Sequence, residues 1–169
     1  MEKEHVLVAL VEDEPGVMQR ISGMFTRRHY NIDTISVGHT EKDGQSRMTI
    51  SFWGDNKKAE QIVKQLNRII EVVKVTRMGH NSIQRELALI KLSTSDENSK
   101  SQIIQYADIF RAKIVDVSKE SIIVEVTGNS GKIEAFVKLF TPFGIKELAI
   151  TGMTAMSRGT KPAEQERKE

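Results

Sequence analysis

The apolar positions of this chain change their period in a fixed order, and the order occurs twice. Residues 6–11 (VLVALV) form an unbroken apolar run, short enough for a strand covered on both faces. Val17, Ile21, Met24 and Phe25 follow at spacings of one helix face and predict a helix ending near Arg28. Pro15 suits its first turn, and Glu12, Asp13 and Glu14 stand where the positive end of its dipole favours acidic groups. Residues 31–40 alternate, with Ile32, Ile35 and Val37 apolar, and read as a strand. Lys42, Asp43 and Gly44 give a hairpin turn, and residues 47–53 alternate again through Met48, Ile50 and Phe52. Gly54, Asp55 and Asn56 open a second helix whose apolar face is Ala59, Ile62, Val63, Leu66 and either Ile69 or Ile70. Residues 72–78 return as a fourth strand.

That order is β-α-β-β-α-β. Two βαβ crossovers sharing a central hairpin give a ferredoxin-like domain with one antiparallel sheet and both helices on one face. The other face must be covered or be polar. Residues 85–92, 98–110, 113–118, 122–126, a helix opened by residues 129–131 with Ile133, Phe136, Val137 and Phe140 on its apolar face, and residues 145–151 repeat the pattern, residues 145–151 being the last strand. The fold class is therefore α+β, two tandem ferredoxin-like βαββαβ domains. We place the first at residues 1–79, the second at 80–157 and a polar tail at 158–169, which carries Pro162. Residues 78–82 are a short connector. The two halves are barely alike in sequence, so the copies are expected to do different work.

Composition narrows the chemistry. The chain has 169 residues and a net charge of +2, with 25 Lys and Arg against 23 Asp and Glu. The charges are near-balanced in each domain, which argues against a phosphate-backbone binder. Cysteine is absent, so disulfides, thiolate metal sites and cysteine nucleophiles are excluded. Aromatic residues are only 5% of the chain, which predicts an aliphatic core. The first residues lack the pattern of a signal peptide and no apolar run is long enough to span a bilayer, so a cytoplasmic location is expected.

Residues 12–31 are the informative stretch. A strand ends, a Pro-Gly turn follows and a helix begins, exposing unpaired N–H groups to which a carboxylate is a natural ligand. Gly16 has no Cβ to keep a ligand from the backbone. Asn31 stands at the start of the next strand and offers both a donor and an acceptor. The turn and Asn31 need not lie at the same end of one sheet; they could meet across a subunit boundary. The plainer reading is a helix start and a turn cap.

Elsewhere the plainer readings prevail. His5, His29, His39 and His80 have no helical metal-ligand spacing, and no metal site is expected. Residues 127–131 (TGNSG) precede a helix, and a cap by Asn129 or Ser130 is preferred over an anion site. Residues 152–159 lack the ending of a phosphate loop. Trp53 is read as packing. Met24, Met48, Met78, Met153 and Met156 are read as core filling.

The run LVEDEPGVMQRISGMFTRRHYNIDTISVG resembles the amino-acid-sensing ACT domain. Followed by SRMTISFWGD, RELALIKL, TGNSGKIEAF and MSRG, it is similar to the family of acetolactate synthase (acetohydroxyacid synthase) regulatory small subunits over residues 4–160. The resemblance implies a chain with no catalytic residues and no cofactor of its own. Its partner would be a large catalytic subunit carrying thiamine diphosphate, a divalent metal such as Mg and FAD. It implies a homodimer with valine, or a related branched-chain amino acid, bound between ACT domains as feedback inhibitor. The matching effector positions are Asp13, Pro15, Gly16, Val17, Met18, Asn31 and Ile32. Gly16 and its neighbours would receive the carboxylate, Asn31 would reach in from the facing subunit, and Met18 and Ile32 would touch the aliphatic side chain. Two positions depart from the family pattern: Asp13 stands where Asn is usual, and His29 where Gly is usual. An anion at 13 would either pair with the ligand's ammonium or repel its carboxylate. Histidine at 29 tolerates positive φ less well than glycine, leaving room for a shifted loop. The alternatives are an ACT-domain regulator of another enzyme or of transcription, a nucleic-acid binder, and an acylphosphatase-like enzyme. The last would need an arginine-bearing loop before the first helix, where this chain is acidic.

Overall fold

A computed structural model describes residues 2–94 and 96–159. The expected tail lies, from residue 160 on, outside the described residues. Two compact units divide the chain: Met1–Ile83 together with the segment from Gly152 onward, and Gln84–Thr151.

In the first unit β1 (Lys3–Glu12), α1 (Val17–Arg27), β2 (Thr34–His39), β3 (Gln45–Gly54), α2 (Asn56–Leu66) and β4 (Val72–Met78) follow the expected order. The sheet runs β2-β3-β1-β4, and every neighbouring pair is antiparallel. One face is the core: Leu7, Ala9 and Val11 of β1 and Met48, Ile50 and Phe52 of β3 pack against Val17, Ile21, Met24 and Phe25 of α1 and Ala59, Ile62, Val63 and Leu66 of α2. Ile69 joins this core while Ile70 is exposed, because α2 has already ended at Leu66.

The opposite face of β1 is just as apolar, as an unbroken run requires. Val6, Val8 and Met78 are buried there beneath Met153 and Ala155. These two belong to β9 (Thr154–Ser157) and the residues just before it. The sequence expectation ended the strands at residue 151, and this further strand corrects it. Residues 152–157 also group with the first unit, although their place in the chain suggested the second. Alternation in so short a segment, with alanine at one of its two buried positions, gives a weak periodic signal.

The second unit repeats the order with β5 (Ser82–Ser93), α3 (Glu97–Ile109), β6 (Lys113–Val117), β7 (Ser121–Gly128), α4 (Ser130–Phe140) and β8 (Ile145–Ile150), and the strand order β6-β7-β5-β8 matches that of the first. Its core differs. Phe136 and Phe140 meet at a tilt with ring centroids 4.5 Å apart, Tyr106 and Phe110 pack edgewise against them, and Phe143 lies tilted against Phe140. The low aromatic content of the whole chain hides this concentration, but the buried core of each unit is mostly aliphatic, as expected.

Both units close their helices with the same devices. Asp55 and Asn129 cap α2 and α4, accepting from the N–H groups of Lys58 and Lys132. The two lysines then fold back to donate to the strand carbonyls of Trp53 and Thr127, at 2.8 and 2.9 Å. A Cβ on Gly54 or Gly128 would lie 2.5 Å from the lysine Cδ, so glycine leaves room for the lysine stem. The preference for a cap at Asn129 over an anion site is therefore met by the geometry. Trp53 supplies its carbonyl, while the residue is 54% exposed and does not pack as expected.

His5 is buried at the end of β1. Its Nε2 donates to the Gly54 carbonyl at 3.0 Å, and its Nδ1 accepts from Arg77 at 2.9 Å. Burial, then the Arg77 guanidinium, lower its pKa below the ordinary 6.5. The unfolded chain therefore takes up this proton first as the solution is acidified. We predict that stability declines as the pH falls from 6.5 through the lower folded-state value. In His5→Gln, chemical denaturation between pH 7.5 and 5.5 should show a flatter decline than wild type; parallel profiles would remove His5 as the cause.

Candidate functional site

The start of α1 differs from the starts of the other three helices. Asp55, Asp96 and Asn129 cap α2, α3 and α4 with their side chains, whereas Gly16 caps α1 with none. The first turn of a helix cannot satisfy its own N–H groups, so those of α1 face outward without a side-chain acceptor. Gly16 has φ of 91°, a left-handed conformation, and a Cβ built on it would meet nothing within 4 Å. The space beside its backbone is open.

The neighbouring positions sort by environment. Asp13 donates its N–H to the Gly44 carbonyl at 2.9 Å, which pins the loop to the β2–β3 turn. Its carboxylate lies 3.4 Å from His39 Nδ1, at the end of β2. Pro15 and Met18 are exposed. Val17 is buried in the core, and its N–H turns back to the Glu14 carbonyl, so it contributes little outward surface. Arg20, one turn on, pairs with the buried Glu71 and ties α1 to the residue before β4.

Asn31 and Ile32 are elsewhere. α1 has 11 residues and so spans about 16 Å. It carries the chain from the end of β1 to the opposite end of the sheet. There the Asp33 N–H donates to Ser51, and Thr34 pairs with Ser51, whereas His39 pairs with Ser46. Asn31 thus sits beyond the first residue of β2, at the end of the sheet away from Gly16. It lies outside the strand, which begins at Thr34 rather than at residue 31 as expected. The reason is the helix exit. The N–H of His29 bonds to Thr26 O and that of Tyr30 to Phe25 O, a Schellman closure with His29 at φ 54°. Tyr30 and Ile32 then pack on the core instead of entering the sheet. Tyr30 also donates to Gln61 at 2.9 Å and lies under Lys58, so the segment bearing Asn31 is fastened to α2.

Sequence reading singled out the turn and Asn31 but not the elements that hold them. The Arg20–Glu71 pair and the Tyr30 anchorage join residues 51 and 31 positions apart and leave no local pattern. The lysine folds did leave one, since Gly, a capping Asp or Asn, and Lys recur at the same spacing in residues 54–58 and 128–132. The loop before α1 carries Glu12, Asp13 and Glu14 and no arginine, so it is not a phosphate cradle. Among the described residues no three His, Asp or Glu side chains form a metal-binding group. No helix described is long and apolar enough to cross a membrane.

Comparison with known proteins places this geometry in a family. Residues 7–74 match the model of the AHAS small subunit-like ACT domain, and residues 85–159 match that of the small subunit of acetolactate synthase. The chain belongs to the acetolactate synthase small-subunit family. A probable acetolactate synthase small subunit of Methanothermobacter thermautotrophicus is 52% identical over 93% of this chain and 94% of its own length. The acetolactate synthase small subunit of Bacillus subtilis is 50% identical over 94% of this chain and 92% of its own. Among solved structures, the acetolactate synthase small subunit of Thermotoga maritima superposes with a TM-score of 0.88. It is 43% identical and covers 94% of this chain and 99% of that one. The family model of the ACT domain spans both Gly16 and Asn31, and the similarity to small subunits runs through both units.

The left-handed His29 has a counterpart in Arg111, which closes α3 with the same pair of bonds at φ 53°. A side chain held there is strained by about 1 kcal/mol. We predict that His29→Gly stabilises the protein by about 0.5–1 kcal/mol in urea denaturation. A destabilised variant would show that the imidazole makes contacts outweighing the strain.

Proposed function

We propose that this chain is the regulatory subunit of an acetolactate synthase. It activates a separate catalytic large subunit and makes it responsive to a branched-chain amino acid, valine foremost, held between two copies of the first unit. Thiamine diphosphate, the divalent metal and FAD would belong to the large subunit; this chain contributes regulation and no catalytic group. Family membership supports the partner. The observation that carries the effector reading is the uncapped start of α1 beside the far end of an edge strand.

Strand β2 lies at the edge of its sheet, with one row of backbone groups unpaired within the unit. Edge strands tend to be covered or paired, and a second copy can do this antiparallel about a two-fold axis. Antiparallel pairing sets the start of one β2 beside the end of the other. Asn31 of one copy is thereby brought toward Asp13, Gly16 and Met18 of its mate. Val37 of β2 is 46% exposed, and Met18 44%, so each copy has apolar surface at this end to lose.

The chemistry of an amino acid fits such a pocket. Its carboxylate takes the open N–H groups at Gly16 and the first turn of α1, where the helix dipole favours an anion. Its ammonium takes the Asp13 carboxylate and the Asn31 amide oxygen. Its branched side chain lies against Met18 and the other copy's Ile32. Binding then biases the assembly only through a difference in affinity between its active and inhibited arrangements.

Two substitutions test this in the reconstituted complex. Gly16→Asp puts an anion where the ligand carboxylate binds and should abolish inhibition by valine while activation persists. Asn31→Ala should weaken valine binding by about ten-fold in calorimetry, the loss of one hydrogen bond to a charged group. Undiminished inhibition in the first, or unchanged affinity in the second, contradicts the proposed site.

A further inference from the structure

The open face of the first sheet is closed by the chain's own segment 152–157, and that segment bears on β2. Ser36 of β2 donates its hydroxyl to the Met153 carbonyl at 2.7 Å. Arg47 of β3 donates to the Ala155 carbonyl at 2.8 Å, and its Nε is buried without a partner. Met153 and Ala155 are themselves buried against Val6, Val8 and Met78. The approach at Gly152 is closer still: a Cβ there would lie 2.4 Å from the Ile35 carbonyl oxygen and 3.0 Å from the Ser36 nitrogen. Those are backbone atoms of β2 and cannot swing aside as a side chain can. Glycine at 152 is therefore the condition for the segment to lie down on this strand.

β2 otherwise has little to hold it. It is six residues long, pairs only with β3 among the described residues of its unit, and its last three residues are exposed. Of its apolar residues, Ile35 packs on the helix-side core while Val37 is exposed. Such a strand lies at the low end of local stability, and a few contacts decide whether it stays ordered. The residue that joins the segment to β8 is Thr151, whose hydroxyl accepts from the Leu87 N–H at 3.0 Å and whose N–H donates to the Leu87 carbonyl at 3.0 Å.

We propose that residues 152–157 are a clamp on β2, and that the docked clamp holds this edge strand in the shape needed for pairing and for the effector pocket. Released, the segment leaves β2 loose, and both dimerisation and the amino-acid response weaken. The clamp is thus a second input to the site, set by the far end of the chain. Its valine consequence rests on the effector reading above; its hold on β2 does not.

Hydrogen exchange on the full-length protein tests it. Gly152→Ala should speed exchange across residues 34–39 about ten-fold and weaken valine affinity by a similar factor, while exchange in β7 stays as in wild type. Ala155→Asp, which puts a charge under the clamp, and Ser36→Ala, which removes one bond and serves if Gly152→Ala does not fold, should act in the same direction. Gly79→Ala, where a Cβ would meet nothing within 4 Å, should change neither quantity. Exchange at residues 34–39 equal to wild type in Gly152→Ala and Ala155→Asp would overturn the clamp. A wild-type protein that ignores valine would instead remove the effector reading, and the exchange comparison would still decide the clamp.

Discussion

The length of α1 is the constraint on which the site depends. A crossover helix must carry the chain from one end of the sheet to the other so that β1 and β2 can run parallel with β3 between them. It therefore separates the amide-bearing turn at Gly16 from Asn31 by its whole span, however well each suits an amino acid. No rearrangement within the unit can join them without unpicking Val17, Ile21, Met24 and Phe25 from the core. A pocket that uses both must be made by two copies, and the unpaired edge of β2 supplies an antiparallel way to do it. The proposed regulation through association rests on the geometry of this one helix.

Much of this was legible in the sequence, for definite reasons. The switch between helical and alternating periods gave twelve of the elements in order, because each helix buries one face and most strands do the same. The balanced charge argued against a nucleic-acid partner, and the Pro-Gly turn with the Asn31 amide suggested the amino-acid pocket proposed above. Asn31 was singled out by its chemistry and its place before β2. Its exclusion from the strand was not foreseen, because the Schellman turn that forces it uses histidine at a left-handed position where glycine would have announced it.

What stayed hidden depends on contacts far apart in the chain. The apolar run of β1 demanded a cover on its second face, and nothing in residues 6–11 could say what supplied it. The answer lies more than 140 positions away, in a short segment whose Gly152 looks like an ordinary turn residue. The aromatic cluster of the second unit was concealed by averaging, since four of the six phenylalanines fall at Phe110, Phe136, Phe140 and Phe143. Two units with one topology thus share mostly aliphatic cores, the second adding a denser aromatic cluster. Only the first covers its open face with a segment from beyond the other unit and leaves the first-turn amides of its first helix without a side-chain cap. The corresponding helix of the second unit is capped by Asp96, whose carboxylate already accepts from the first turn.

A shared pocket makes a demand that a pocket within one subunit does not. If protomers carrying Gly16→Asp are mixed with protomers carrying Asn31→Ala and allowed to exchange, each mixed dimer holds one pocket with both lesions and one with neither. Calorimetry on the purified mixed dimer should then show valine binding at wild-type affinity and half the wild-type stoichiometry, although neither parent binds it well. Mixed dimers that bind no better than their parents would show that Gly16 and Asn31 do not serve one site across two subunits.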